Sequence, residues 1–242
     1  MLRTRLTDIL EIEHPVMLAG MGGVSYSELV TAVSEAGGFG CMGASTMQHE
    51  EMNKEIAAVR SATDKPFGVD LLTAVPQDLP QKVEDIIKGG ARAFVAGLGI
   101  PRDVVELCHK NGVLVVSMCG KVRHAVDAVA AGCDLVVAQG TEAGGHTGQV
   151  ATFALVPQVV DAVSGRVPVI AAGGFFDGRG LVAALAYGAS GIAMGTRFDP
   201  DVYARLREAS GLDRPLVEQY FGYLASAVTG DLGVSFRSGE PV

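Results

Sequence analysis

Eight short apolar runs recur along this 242-residue chain, and the stretches between them have helical periodicity. The runs are 16–19 (VMLA), 39–42 (FGCM), 67–70 (FGVD), 93–96 (AFVA), 114–117 (LVVS), 135–138 (LVVA), 169–172 (VIAA) and 191–194 (GIAM). Unbroken apolar runs of this length mark strands buried on both faces, as in a parallel sheet. Gly20, Gly43, Gly97, Gly173 and Gly195 each follow a run directly. Stretches 27–36, 50–60, 81–88, 101–109, 122–131, 155–163 and 179–187 are amphipathic; the first places Leu29, Val30, Val33 and Ala36 at helical spacing. Pro101 and Pro157 suit first helical turns. Strand–helix alternation means an α/β fold. Eight near-equal units in roughly 200 residues predict a (β/α)8 TIM barrel, with a doubly wound open sheet as the rival.

The barrel is expected over residues 1–198. Residues 199–242 should add the last barrel helix (200–210), a short C-terminal helical extension (215–229) and a loose tail. The extension carries Tyr220, Phe221, Tyr223 and Leu224, an edge that a second copy would cover in a homodimer. A net charge of −8 argues against a nucleic-acid partner. It leaves room for a phosphate ligand, which backbone N–H groups can bind unaided. No apolar stretch reaches membrane-spanning length without a Gly or polar interruption, and no secretory signal pattern is present. The expectation is a cytoplasmic protein without a membrane partner. Cys41, Cys108, Cys119 and Cys133 lack metal-ligand spacing and read as reduced core thiols, so no metal site is expected.

Three segments carry chemistry. The first is 139–148 (QGTEAGGHTG), which puts His146 and three glycines, Gly144, Gly145 and Gly148, just past strand six. Parallel α/β folds bind their ligands at the C-terminal ends of strands. Histidine exchanges its proton nearest neutral pH, so His146 is a candidate base. The alternative is an ordinary Gly-rich loop. The second is the pair Gly173-Gly174 and Gly195-Thr196, ending strands seven and eight. Barrels commonly build a phosphate site there, although the glycines would also serve to turn the chain. The third is 19–23 (AGMGG), which lacks dinucleotide-fingerprint spacing. Backbone at Gly20, Met21 and Gly22 would suit a planar ring; alternatively Met21 fills a gap in the core. His109 and His124 read as structural, His14 as closing the barrel's bottom and Cys119 as an inert thiol. Lys121 reads equally as a solvated charge at a helix start.

Taken in order along 8–198, these motifs resemble the nitronate monooxygenase (2-nitropropane dioxygenase) family of FMN-dependent barrels. The resemblance rests on His14-Pro15 with 19–23, on 34–40 (SEAGGFG), on 139–148 and on 171–174 with 195–198. It implies FMN across the barrel mouth, with its phosphate on Gly173, Gly174, Gly195 and Thr196. It implies backbone at Gly20, Met21 and Gly22 facing the ring, polar side chains of Gln139 and Lys121 near the flavin, and Gly144 and Gly145 bringing their loop close. His146 would remove the proton α to a nitro group. Asp70 stands where relatives commonly carry Asn; an ionised acid there would accept from a flavin N–H but repel a reduced, anionic ring. The segment after Phe198 is shorter than in most relatives.

Three readings follow. The first is an FMN-dependent oxidoreductase that oxidises nitronates or nitroalkanes with O2. The second is an FMN-dependent enoyl-thioester reductase using NADH or NADPH. The third is a non-catalytic barrel binding a phosphate-bearing ligand.

Overall fold

A computed structural model describes residues 2–195 of the chain. Thr196, Arg197 and the helices expected over 200–210 and 215–229 lie outside them. Every expected strand forms: β1 (Val16–Leu18), β2 (Gly40–Gly43), β3 (Phe67–Leu72), β4 (Ala93–Gly97), β5 (Leu114–Cys119), β6 (Leu135–Gln139), β7 (Val169–Ala172) and β8 (Gly191–Met194). All pairings between them are parallel, in the order β1-β8-β7-β6-β5-β4-β3-β2. Phe39 closes the ring: its N–H donates to the Val16 carbonyl and its carbonyl accepts from the Leu18 N–H, both at 2.9 Å. The protein is a TIM barrel, and the open sheet is excluded.

The expected helices form as α2 (Ser27–Glu35), α3 (His49–Ala62), α4 (Leu79–Lys88), α5 (Arg102–Lys110), α6 (Val122–Ala131), α7 (Thr152–Val163) and α8 (Gly178–Ala186). Two proline expectations need correction. Pro101 is the residue capping α5 rather than the first in it. Pro157 lies inside α7, because that helix starts three residues earlier than its apolar pattern suggests. Pro157 has no N–H, so it cannot complete the bond to the carbonyl four residues before it.

Strand alternation divides the core into two shells. Phe94, Val115, Val136 and Ala171 point outward against the helices. Met17, Phe39, Cys41, Val95, Val116, Val137, Ile170 and Ala193 point inward. The inner shell mixes large and small residues. A Cβ on Gly68 would stand 2.7 Å from the Phe39 ring, so the missing side chain makes room for that phenylalanine.

One helix escapes the sequence pattern. α1 (Arg5–Leu10) precedes β1 and seals the barrel's bottom with Leu6 and Leu10, both fully buried in the inner shell. Thr4 and Thr7 form a reciprocal capping box at its start. The Thr4 hydroxyl also donates to the Ser190 carbonyl at 2.7 Å, tying α1 to the foot of β8. Gly191 leaves the space that Leu6 fills. His14, expected in this closing role, is exposed instead; the seal is apolar because it caps an apolar interior. Replacing Leu6 by Ala should cost about 2–5 kcal/mol, read as a lower urea midpoint. A loss below about 1 kcal/mol would show that α1 does not plug the barrel.

Candidate active site

The C-terminal mouth of the barrel is built from two sides. On one side are the turn after β1, the end of β2, and β3. The turn is held from below by Ser25, which is fully buried. Its Oγ accepts from the Met21 N–H at 2.7 Å and the Gly43 N–H at 2.9 Å, and lies 3.1 Å from the Met21 carbonyl. Gly43 is pressed so closely that a Cβ there would come within 2.5 Å of the Met21 backbone. Gly22 adds a bridge to Gly43. Met21 itself is half-buried, packs on the outer shell and reaches toward Gly195. Its side chain thus packs as the core-filling alternative expected.

Asp70 is the charged-type residue at this side of the mouth. It lies fourth in the six residues of β3 rather than at its end. Its register partner is Val95, which pairs in turn with Val116 and then Leu135, all inner-shell residues. The Asp70 side chain therefore points into the barrel. It wedges against Gly20, where a Cβ would stand 2.3 Å from the Asp70 Cβ and 2.7 Å from Oδ2. The residue is partly accessible, but its Oδ1 is enclosed and has no hydrogen-bond partner among the described residues. Burial pushes the carboxyl up from 3.8 to about 7. Burial, and then Asp70 itself, push the neighbouring Cys41 thiol up as well. Enclosure without a donor among the described residues disfavours the charge.

The other side is the loop from Gly140 to Ala151, between β6 and α7. It closes on itself where the Thr141 N–H donates to the Val150 carbonyl at 3.0 Å. Glu142 anchors it. Its Oε2 accepts from the Thr152 N–H at 2.9 Å and the Thr152 hydroxyl at 2.7 Å, which caps α7. Burial works against the Glu142 charge, but these bonds hold the carboxyl below its usual range. The same hydroxyl lies 3.0 Å from the Gly173 carbonyl, so β7 and the loop share one buried polar contact. At the far end, Gly148 presses on Gly120 after β5; a Cβ on Gly148 would come 2.3 Å from the Gly120 carbonyl.

This frame presents the expected residues as follows. Gln139 pairs with Ala172, which pairs with Ala193, so it too faces the barrel interior. Its Nε2 lies 3.4 Å from the Gly144 carbonyl, a weak bond from β6 to the loop. Gly144, Gly145 and His146 are exposed, and nothing crowds the two glycines. Gly145 has φ +72°, which suits glycine. Gly173 and Gly174 have φ +103° and +78°, two left-handed residues in succession. A Cβ on Gly173 would stand 2.6 Å from the Thr152 hydroxyl, whereas one on Gly174 would only touch the Glu142 Cβ at 3.5 Å. Gly195 is exposed at the end of β8. Lys121 is exposed and starts α6 after β5 has ended at Cys119. Cys119 is buried in the outer shell, and burial pushes its thiol up to about 12, which makes it inert at neutral pH. His109 bonds Asp134 at 2.9 Å, and His124 is exposed.

The sequence model of the nitronate monooxygenase family matches residues 3–81 and 73–199 of this barrel. The chain belongs to that family. A (3aS,4S,5R,7aS)-5-hydroxy-7a-methyl-1-oxo-octahydro-1H-indene-4-carboxyl-CoA dehydrogenase from Mycobacterium tuberculosis (strain ATCC 25618 / H37Rv) is 45% identical over 224 residues, 89% of this chain and 63% of the relative. FabK from Thermotoga maritima superposes with a TM-score of 0.78 at 42% identity, over 81% of this chain and 62% of that one. The nitroalkane oxidase from Streptomyces ansochromogenes gives 0.73 at 30% identity, over 78% and 66%. The chain thus spans less than two thirds of each of these proteins.

Within this barrel, Ser25, Gly43, Glu142, Thr152 and Gly120 shape the mouth. Ser25, Thr152 and Gly120 carried no sequence signal, whereas Gly43 was marked as the glycine ending strand two and Glu142 lies inside 139–148. Replacing Ser25 by Ala should leave the Met21 amide enclosed without its acceptor and cost about 1–3 kcal/mol in urea unfolding. A neutral outcome would remove Ser25 from the frame.

Asp70 predicts a pH dependence of stability in the ligand-free protein. Between about pH 4 and 7 the folded state keeps a proton that the unfolded state has lost, so stability falls as pH rises through that window. Relative to Asp70→Asn, the wild type should lose about 1.4 kcal/mol per pH unit across it, with the difference levelling off above. Parallel urea titrations of both proteins at four pH values would show it; parallel curves would place the carboxyl in water.

Proposed function

We propose that the chain is the FMN-binding part of an oxidoreductase of the nitronate monooxygenase type. The observation that carries this reading is the pair of left-handed glycines, Gly173 and Gly174, at the end of β7 beside Gly195 at the end of β8. Backbone N–H groups at these two strand ends would suit a phosphate, and no side chain need supply the charge. The Thr152 amide at the start of α7 is already taken by Glu142, so the phosphate would depend on the glycine edge. The enclosed, unpartnered Oδ1 of Asp70 fits a polar ring edge in the mouth, and the backbone of Gly20, Met21 and Gly22 offers a rigid face beside it. Gln139, Lys121 and the loop carrying Gly144 and Gly145 would line the remaining side.

Bound FMN would supply the electron acceptor and the route to oxygen. The chain's own part is to bind, orient and move a proton. His146, exposed on a loop pinned at Thr152 and Gly120, would accept the proton α to a nitro group. Family membership and the likeness to a nitroalkane oxidase support this choice.

The likeness to a carboxyl-CoA dehydrogenase and to FabK favours a second reading, an enoyl-thioester reductase drawing electrons from NADH or NADPH. Rapid anaerobic bleaching of the bound flavin by NADPH would select it. A colourless protein gaining no thermal stability from FMN would favour a barrel without redox chemistry.

The test of the leading reading compares two forms of one substrate. His146→Ala should lower kcat/KM for neutral nitroalkane by about 10²–10⁴-fold. Turnover of the preformed nitronate should fall far less. Equal losses on both would remove His146 as the base.

A further inference from the structure

The mouth contains a carboxyl group with no partner among the described residues. Asp70 points inward from β3, wedged against the Gly20 backbone, with Oδ1 enclosed and no donor facing it among the described residues. β4 offers only apolar residues and glycine (Ala93–Gly97), and the β1 turn likewise carries no ionisable side chain through Gly23. β2 contributes the Cys41 thiol, which burial keeps neutral. No lysine, arginine or histidine is paired with Asp70 among the described residues. An enclosed carboxylate without a cation or N–H donors is costly, whereas a neutral carboxylic acid has an O–H to donate.

We propose that Asp70 meets the flavin ring as a neutral acid whose O–H donates to a ring acceptor, so that this chain holds FMN most tightly where that proton is retained. The inference rests on the FMN reading above and adds its regulation: cofactor retention becomes sensitive to pH near neutrality. Covering the mouth with a ring removes the remaining water from the carboxyl, which strengthens the preference for the neutral form. The proton is then bound more tightly in the complex than in the free protein. By linkage, FMN affinity is highest at lower pH and falls as pH rises through neutrality, and binding near pH 7 takes up protons. Asp70→Asn keeps an N–H donor that does not titrate, so it should lose this dependence.

The test measures dissociation constants of FMN and riboflavin by flavin fluorescence from about pH 5.5 to 8.5 for wild type and Asp70→Asn. Riboflavin is included because the FMN phosphate itself titrates near about 6. For wild type, riboflavin affinity should fall above neutrality, approaching tenfold per pH unit, while Asp70→Asn should stay flat. Calorimetry on the wild type in buffers of different ionisation enthalpy gives a second measure that needs no variant. Net proton uptake with riboflavin near pH 7 supports the proposal; no uptake, or release, overturns it. Affinity that is flat or rises with pH in the wild type also overturns the Asp70 assignment and leaves the FMN reading standing. Failure of either flavin to bind at any pH overturns the FMN reading and this inference with it.

Discussion

The parallel register around the closed barrel decides what every residue at the mouth can do. Each strand aims alternate side chains inward, and direct pairing carries that choice from strand to strand. Val95, Val116 and Leu135 fill the interior, so Asp70, their register mate on β3, must also face in. A slip of one residue would turn it out against the helices and remove it from the mouth. Closure depends on Phe39, whose two backbone bonds join β2 to β1, and on α1, which fills the opposite end. The barrel is therefore a packed core at the bottom and a shaped polar surface at the top.

The two sides of the mouth are held by different means. On the β1–β3 side, Ser25 fixes the turn through backbone bonds. On the β6–β7 side, Glu142 and Thr152 bind the loop to α7 and place it beside the Gly173 carbonyl. The loop's middle, Gly144 to His146, stands free of crowding.

Much of the fold was legible in sequence because parallel strands buried on both faces leave unbroken apolar runs. Their ends moved by no more than two residues at either side. α1 was not legible, since six residues are too few to show a helical period and its anchors, Ser190 and Gly165, lie far along the chain. The start of α7 was misplaced for a related reason: Thr152 begins the helix because Glu142, ten residues earlier, caps it. His14 was assigned to the barrel's bottom, where an apolar plug stands instead.

By itself the sequence determined the α/β class, the positions of the strands along the chain and the family to which the motifs point, because apolar period and glycine spacing are local properties. It also picked out the glycines at the ends of β1, β7 and β8. What only the tertiary structure decided is which of those glycines are squeezed and which are open, and what state a carboxyl takes among them. Asp70 in a string of letters is an ordinary acid. Wedged against Gly20 with no donor among the described residues, it becomes a group whose charge is disfavoured, because solvation depends on everything around a residue and not on its neighbours in the chain.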